Sequence, residues 1–68
     1  MAQYILNVDQ KTSIAIQKQL GLNLSFQRVE LISIVPKNGC MDVVVATDDP
    51  TNLFTLGFFV GGRIVAGL

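Results

Sequence analysis

Residues 28–47 read RVELISIVPKNGCMDVVVAT and predict a β-hairpin. Arg28 to Val35 and Cys40 to Thr47 are rich in β-branched residues, which favour strands. Pro36-Lys37-Asn38-Gly39 separates them, and Asn-Gly tolerates the positive φ angles of tight hairpin turns. A two-residue loop and a four-residue loop give different registers, but both place the same residues on each face of the sheet.

The two faces of this hairpin differ in polarity. The more apolar face is interpreted as the core beneath the helices, and it consists of Ile32, Ile34, Met41, Val43 and Val45. The other face mixes aliphatic and polar groups, as a half-solvated or partner-facing sheet does. It consists of Val29, Leu31, Ser33, Val35, Asp42, Val44 and Ala46. Its residues Leu31, Val35 and Val44 are therefore candidates for self-association.

The residues before the hairpin predict a strand and a helix. Gln3 to Val8 is rich in strand formers, with apolar side chains alternating along one face. The carboxylate of Asp9 is suited to accept hydrogen bonds from the free backbone N–H groups at a helix N-terminus. Gln10 to Leu20 then predicts a helix, and Gly21 is predicted to end it in the left-handed conformation. A connector, residues 23–27, leads to the hairpin.

The residues after the hairpin predict a second helix. Asp48-Asp49-Pro50 is typical of a helix start, with an acidic cap followed by proline at the first helical position. Because each glycine costs about 1 kcal/mol inside a helix, Gly61-Gly62 predicts its end. Arg63 to Gly67 then forms a short final strand. The alternative continues the helix to Ala66.

The segment from residue 51 to residue 68, TNLFTLGFFVGGRIVAGL, is apolar on every side. A surface helix normally has one polar face, so this segment needs a cover. A domain of about 60 residues buries only about 60% of its unfolded surface, and half of this chain is hydrophobic. We therefore expect a second copy to provide the cover, through Phe54, Phe58 and Phe59.

The element order is β-α-β-β-α with an optional final β, over one domain of residues 1–68. This predicts an α+β fold, the ferredoxin-like split βαβ sandwich, with both helices on one face of an antiparallel sheet. The order and length resemble those of ACT-type modules, which bind small molecules and also open with a strand ending in Asp. The Pro-Gly pair typical of their first turn is absent from Val8-Asp9-Gln10-Lys11-Thr12, so no family is assigned.

The composition argues against several functions. Five Lys and Arg balance five Asp and Glu, so no net positive field attracts nucleic acid. The chain has no His to activate a serine or cysteine nucleophile. Its one cysteine, Cys40, cannot form an internal disulfide, which fits a reducing, cytoplasmic location. We expect a protein that is not an enzyme.

Metal and cofactor sites are not expected either. Zinc needs several Cys or His ligands, and the predicted fold places Asp9 and Asp48 at opposite ends of the sheet. Asp9 and Asp49 are interpreted as helix caps. Gly61-Gly62-Arg63 lacks the spacing of a phosphate-binding loop.

A membrane-spanning helix is not expected, because the apolar run from Leu53 to Leu68 falls short of about 18 residues and contains Arg63. These observations favour a non-catalytic, homo-oligomeric binding protein whose surfaces arise in the oligomer. One alternative is a regulatory module with a small molecule bound at a subunit junction. Another is a small protein, viral in origin, that inhibits a host partner.

Overall fold

A computed structural model describes residues 1–22 and 27–67 of the chain. The predicted connector falls almost entirely outside them. The elements are β1 (Ala2–Val8), α1 (Gln10–Leu20), β2 (Val29–Lys37), β3 (Cys40–Thr47) and α2 (Asn52–Val65). β3 lies between β1 and β2 and is antiparallel to both. The predicted α+β class with an antiparallel sheet is therefore confirmed.

The turn between β2 and β3 is a two-residue loop. Lys37 pairs with Cys40, so only Asn38 and Gly39 lie between the paired residues. Both have positive φ angles, 50° and 81°, as the favoured two-residue hairpin turns require. The shorter of the two predicted loops is the correct one.

A β-bulge in β2 changes the predicted faces of the sheet. Leu31 pairs with Val45 and Ser33 pairs with Val44, which leaves Ile32 as an extra residue. An extra residue reverses the alternation of side chains along the strand. Leu31 consequently packs against the core, and Ile32 is 45% exposed. Assigning Ile32 to the core face was wrong, and so was assigning Val29 and Leu31 to the opposite face, because both pack against the core.

The helix α1 begins and ends where the sequence predicts, but its last turn differs. Asp9 caps it by accepting from the backbone N–H of Thr12 at 2.7 Å. Gly21 has φ −64°, in the right-handed region, so the predicted left-handed end is wrong. A Cβ at Gly21 would lie 3.0 Å from the carbonyl oxygen of Gln17. Glycine is therefore favoured there by the close backbone contact.

The helix α2 starts later and ends later than predicted. Pro50 belongs to a turn that precedes the helix, and the helix continues through Gly61 and Gly62 to Val65. The predicted end at the glycines and the optional final strand are therefore wrong, and the alternative, a helix that continues to Ala66, is confirmed to within one residue. Ile64 packs against the core, and Arg63 donates to Gln19 at 2.8 Å. We attribute the longer helix to these contacts, which offset the helix-breaking tendency of the two glycines.

Both helices contact one core, so they cover the same face of the sheet. The fully buried part of this core consists of Ala15, Ile16, Leu20, Val43, Val45, Leu56 and Val60. Tyr4, Leu6 and Val8 of β1 pack against it. The sheet has three strands in the order β1-β3-β2, and the four-stranded ferredoxin-like sheet is not formed by the described residues. Its second face carries no helix from residues 1–22 or 27–67.

Candidate interaction surfaces

The carboxylates of the chain do not converge on one site. Asp9 follows β1 at one end of the sheet, near the pair formed by Val8 and Met41. Asp48 and Asp49 follow β3 at the other end. Among residues 1–22 and 27–67, no group of three His, Cys, Asp or Glu side chains is placed to hold a metal ion.

Asp9 caps α1, as the sequence predicts. The prediction that Asp49 caps α2 is wrong, because Thr51 is the N-cap of α2 and no side chain makes a cap hydrogen bond there. The hydrogen bonds from Thr12 to Asp9 hold the pKa of that carboxyl below its usual value. The backbone N–H of Thr51 donates to Asp49 Oδ1 at 3.0 Å and lowers the pKa of Asp49 in the same way. Both groups are therefore held as carboxylates, which suits accepting hydrogen bonds from backbone N–H groups and does not suit a general acid.

The outer side of α2 carries a row of exposed apolar residues. Phe54, Phe58 and Val65 are 80%, 78% and 90% exposed. Their spacing of four and seven residues places them on one side of the helix, and Gly61 lies between Phe58 and Val65 on that side. We call Phe54, Phe58, Gly61 and Val65 the α2 stripe.

The single charged residue of α2 lies away from the stripe and bonds inward. Arg63 Nε donates to Gln19 Oε1 at 2.8 Å, and Gln19 Nε2 donates to Gln27 Oε1 at 2.9 Å. Gln19 and Gln27 are buried, at 4% and 5% exposure. This network ties α2 to α1 and to the start of β2, and it leaves the α2 stripe without charge.

The three phenylalanines proposed for self-association do not all lie on the outer side of α2. Phe54 and Phe58 project outward, whereas Phe59 is half-buried. The rings of Phe58 and Phe59 meet edge to face, with centroids 5.7 Å apart and an interplanar angle of 85°. Phe59 therefore supports the orientation of Phe58 and contributes less surface of its own.

The sheet face opposite the helices is the second uncovered surface. Ile5 and Val35 are 68% and 51% exposed there, and Val44 between them is half-buried. Asp42 accepts from the side-chain amide of Asn7 at 2.8 Å and lies 3.8 Å from the Lys37 ammonium. Leu31, predicted for this face, is absent from it because of the bulge.

A cavity of about 360 Å³ opens between β1, α1 and α2. Its lining is almost wholly apolar and includes Leu6, Val8, Ile16, Leu53, Val60 and Ile64. Thr12 supplies the polar side chain of the lining. Gly57 and Gly61 border the cavity, and a Cβ at either would meet nothing within 4 Å.

Sequence reasoning missed three exposed positions that belong to these surfaces. Val65 follows Phe58 at seven residues, a spacing that points to one helix side, but the predicted final strand concealed it. Gly61 was treated as a helix end. Ile5 alternates with Tyr4 and Leu6, which would have placed it on the outer sheet face.

Within the part of the chain that the structure describes, no helix has both the length and the apolar character needed to cross a membrane. No family model, curated protein or solved structure matches the chain.

Proposed function

We propose that this protein is a non-catalytic interaction module that self-associates through the α2 stripe. The observation that carries the proposal is the exposure of Phe54, Phe58 and Val65 on a helix side without charge. Large exposed apolar side chains of this kind mark interaction surfaces. Interface centres are likewise depleted of charge and enriched in aromatic residues.

The stripe is complementary to a second copy of itself. In an antiparallel pair of α2 helices, Phe54 lies opposite Val65 of the second copy. In the same register, Phe58 lies opposite the second copy's Gly61. A large ring then meets a residue with no side chain, which lets the two helices approach closely. The contact is isologous, so one twofold axis generates both halves of it.

The area of this contact supports a modest affinity. One aromatic side chain buries about 150–250 Å², so the four rings of two copies supply about half of the 1,200–2,000 Å² typical of stable interfaces. The two valines add to this area. We therefore expect a dimer whose population depends on concentration.

Cysteine cross-linking tests the antiparallel arrangement. Phe54→Cys and Val65→Cys are made separately in a Cys40→Ser background, which removes the native thiol. We expect a disulfide-linked dimer only when the two variants are mixed, because each engineered cysteine faces the other type. The Phe58–Gly61 contacts are unchanged in both proteins.

Two results would contradict this arrangement. Cross-linking of each variant with itself would indicate a parallel helix pair. The interface lies elsewhere if the mixture gives no linked product at a concentration where the unmodified chain is dimeric.

A second candidate function is the binding of a small apolar molecule in the cavity beside β1. Its volume of about 360 Å³ falls within the 300–1,000 Å³ range of ligand pockets. An apolar lining with one polar group also fits an apolar ligand with a single hydroxyl. The regulatory module expected from the sequence also binds a small molecule, but at a subunit junction, whereas this cavity lies within one chain.

Filling the cavity tests the second candidate. We expect 1-hexanol or a similar short-chain alcohol to raise the melting temperature, since a ligand bound only by the folded state stabilises it. Gly57→Leu should abolish the shift by occupying the cavity. Gly62→Leu is the matched control, because Gly62 is equally open but does not line the cavity. An equal shift in wild type and Gly57→Leu would refute binding there.

A further inference from the structure

We propose that β1 is a second self-association site, at which two copies pair antiparallel about a twofold axis at Ile5. The pairing joins two three-stranded sheets into one continuous sheet. This goes beyond the function proposed above, because it uses a different element and does not depend on the α2 stripe.

The two edges of the sheet differ in how they resist pairing. β2 is one edge, and it carries Glu30, Pro36, Lys37 and the bulge at Ile32. Charges, proline and bulges are the devices by which natural sheets prevent edge-to-edge association. The β2 edge is therefore protected.

The β1 edge has none of these devices. Its seven residues, AQYILNV, include no charge, proline or glycine. They pair with β3 in seven consecutive positions without a register shift, so the strand is regular along its whole length. In an antiparallel sheet, alternate backbone N–H and C=O groups of an edge strand point away from its neighbour. β1 is an edge of the sheet formed by the described residues, so it presents a regular, uncharged row of hydrogen-bonding groups on its outer side.

The order of residues in β1 identifies the partner as a second copy. In antiparallel pairing centred on Ile5, Ile5 faces Ile5 and Tyr4 faces Leu6. Gln3 then faces Asn7, so each apolar residue meets an apolar residue and each amide meets an amide. At the ends of the strand, Ala2 faces Val8.

Other registers lose this match. A register shifted by one residue places Ile5 of one copy opposite Tyr4 or Leu6 of the other copy. Within one chain, Tyr4 and Leu6 point to the core face and Ile5 points to the outer face, so the faces of the two copies no longer match. A shift of two residues places Ile5 opposite Gln3 or Asn7. Only the pairing centred on Ile5 is self-complementary throughout and keeps the helices of both copies on one side of the joined sheet.

The consequence is an assembly larger than a dimer. The α2 stripe and the β1 edge are separate isologous surfaces, and each joins one pair of copies. A chain with two such surfaces links copies into a closed tetramer or an extended array.

A single cysteine at the twofold axis tests the pairing. Residues directly opposite in an antiparallel pair have Cβ atoms about 4.5–5.5 Å apart, close to the distance a disulfide requires. We expect Ile5→Cys, in a Cys40→Ser background, to form a disulfide-linked dimer on its own. Ile5 is 68% exposed, so the substitution leaves the fold intact.

Val35→Cys in the same background is the matched control. Val35 lies on the same sheet face and is 51% exposed, but it belongs to the opposite edge strand. We expect no linked dimer from it. Equal linking by both variants would show that sheet faces stack, and failure of Ile5→Cys to link would exclude the β1 pairing; either result overturns the proposal.

The experiment is repeated with Phe58→Asp present, which removes the α2 contact. We expect Ile5→Cys to link as before, because the two surfaces are independent. If Ile5→Cys forms the linked dimer without Phe58→Asp but not with it, the two surfaces are not independent. Linking by Ile5→Cys combined with failure of the α2 cross-links would instead disprove only the proposed function of the stripe.

Discussion

Phe58→Asp should abolish association through α2 while leaving the chain folded. The ring is 78% exposed, so its loss costs the monomer little. In the dimer, twofold symmetry makes the substitution act twice. Two lost rings at about 2–3 kcal/mol each correspond to a dissociation constant raised on the order of 10³-fold or more. Buried carboxylates would add to this penalty. Sedimentation equilibrium over a range of concentrations measures the change.

Thr55→Asp is the control for this substitution. It adds the same charge to the same helix at an exposed position outside the stripe, so the dissociation constant should change little. Circular dichroism and melting temperature establish that both variants are folded. A Phe58→Asp protein that is folded and associates as wild type would show that this side of α2 is not an interface.

Thr47→Val should be the most damaging of the conservative substitutions in the sheet. Thr47 is completely buried, and its hydroxyl donates to the carbonyl oxygen of Arg28 at 2.8 Å. The same hydroxyl accepts from the Asn52 side-chain amide at 3.0 Å. Valine keeps the shape but removes both hydrogen bonds, which are part-buried, at about 1–2 kcal/mol each. We expect a total loss of about 2–4 kcal/mol in the free energy of unfolding.

Urea unfolding measures this loss, and Thr55→Val is its control. Thr55 is exposed on α2, so the same chemical change should alter stability by no more than about 0.5 kcal/mol. The Thr47 contacts also hold Arg28, whose φ of 50° is unusual for a residue with a side chain. If Thr47→Val unfolds at the same urea concentration as wild type, these hydrogen bonds do not stabilise the junction of β2, β3 and α2.

The hairpin and both helices could be predicted because each depends on local chemistry. Asn38-Gly39 selects its turn through φ angles that few other residue pairs accept. Asp9 caps α1 through a hydrogen bond to a residue three positions away. Interactions between residues this close together in the chain can be recognised from a short stretch of sequence.

The faces of β2 depend on distant contacts and could not be predicted, and the choice between the two predicted ends of α2 depends on distant contacts as well. The bulge at Ile32 is defined by pairing with β3, and no residue near it demands an extra position. Gly61 and Gly62 favour a helix end, yet Arg63 is bonded to Gln19, 44 positions earlier in the chain. These two errors placed Leu31 on the surface instead of against the core and hid Val65 from the candidate site.

The uncovered surfaces have a common physical origin in the arrangement of the described helices on one face of the sheet. A sheet with helices on one face leaves its other face open, and residues 1–22 and 27–67 supply no further layer over it. The β2 edge is blocked by charge and proline, whereas the β1 edge and the α2 stripe are uncharged. The proposed self-association would bury the α2 stripe and pair the β1 edge.

Absolute mass in solution, by light scattering after gel filtration at several concentrations, tests the central claim most directly. Self-association predicts a mass above that of the single chain which rises with concentration and falls when Phe58→Asp or Ile5→Lys is introduced. The mass of one chain at every concentration would contradict it, because both surfaces would then remain exposed without pairing.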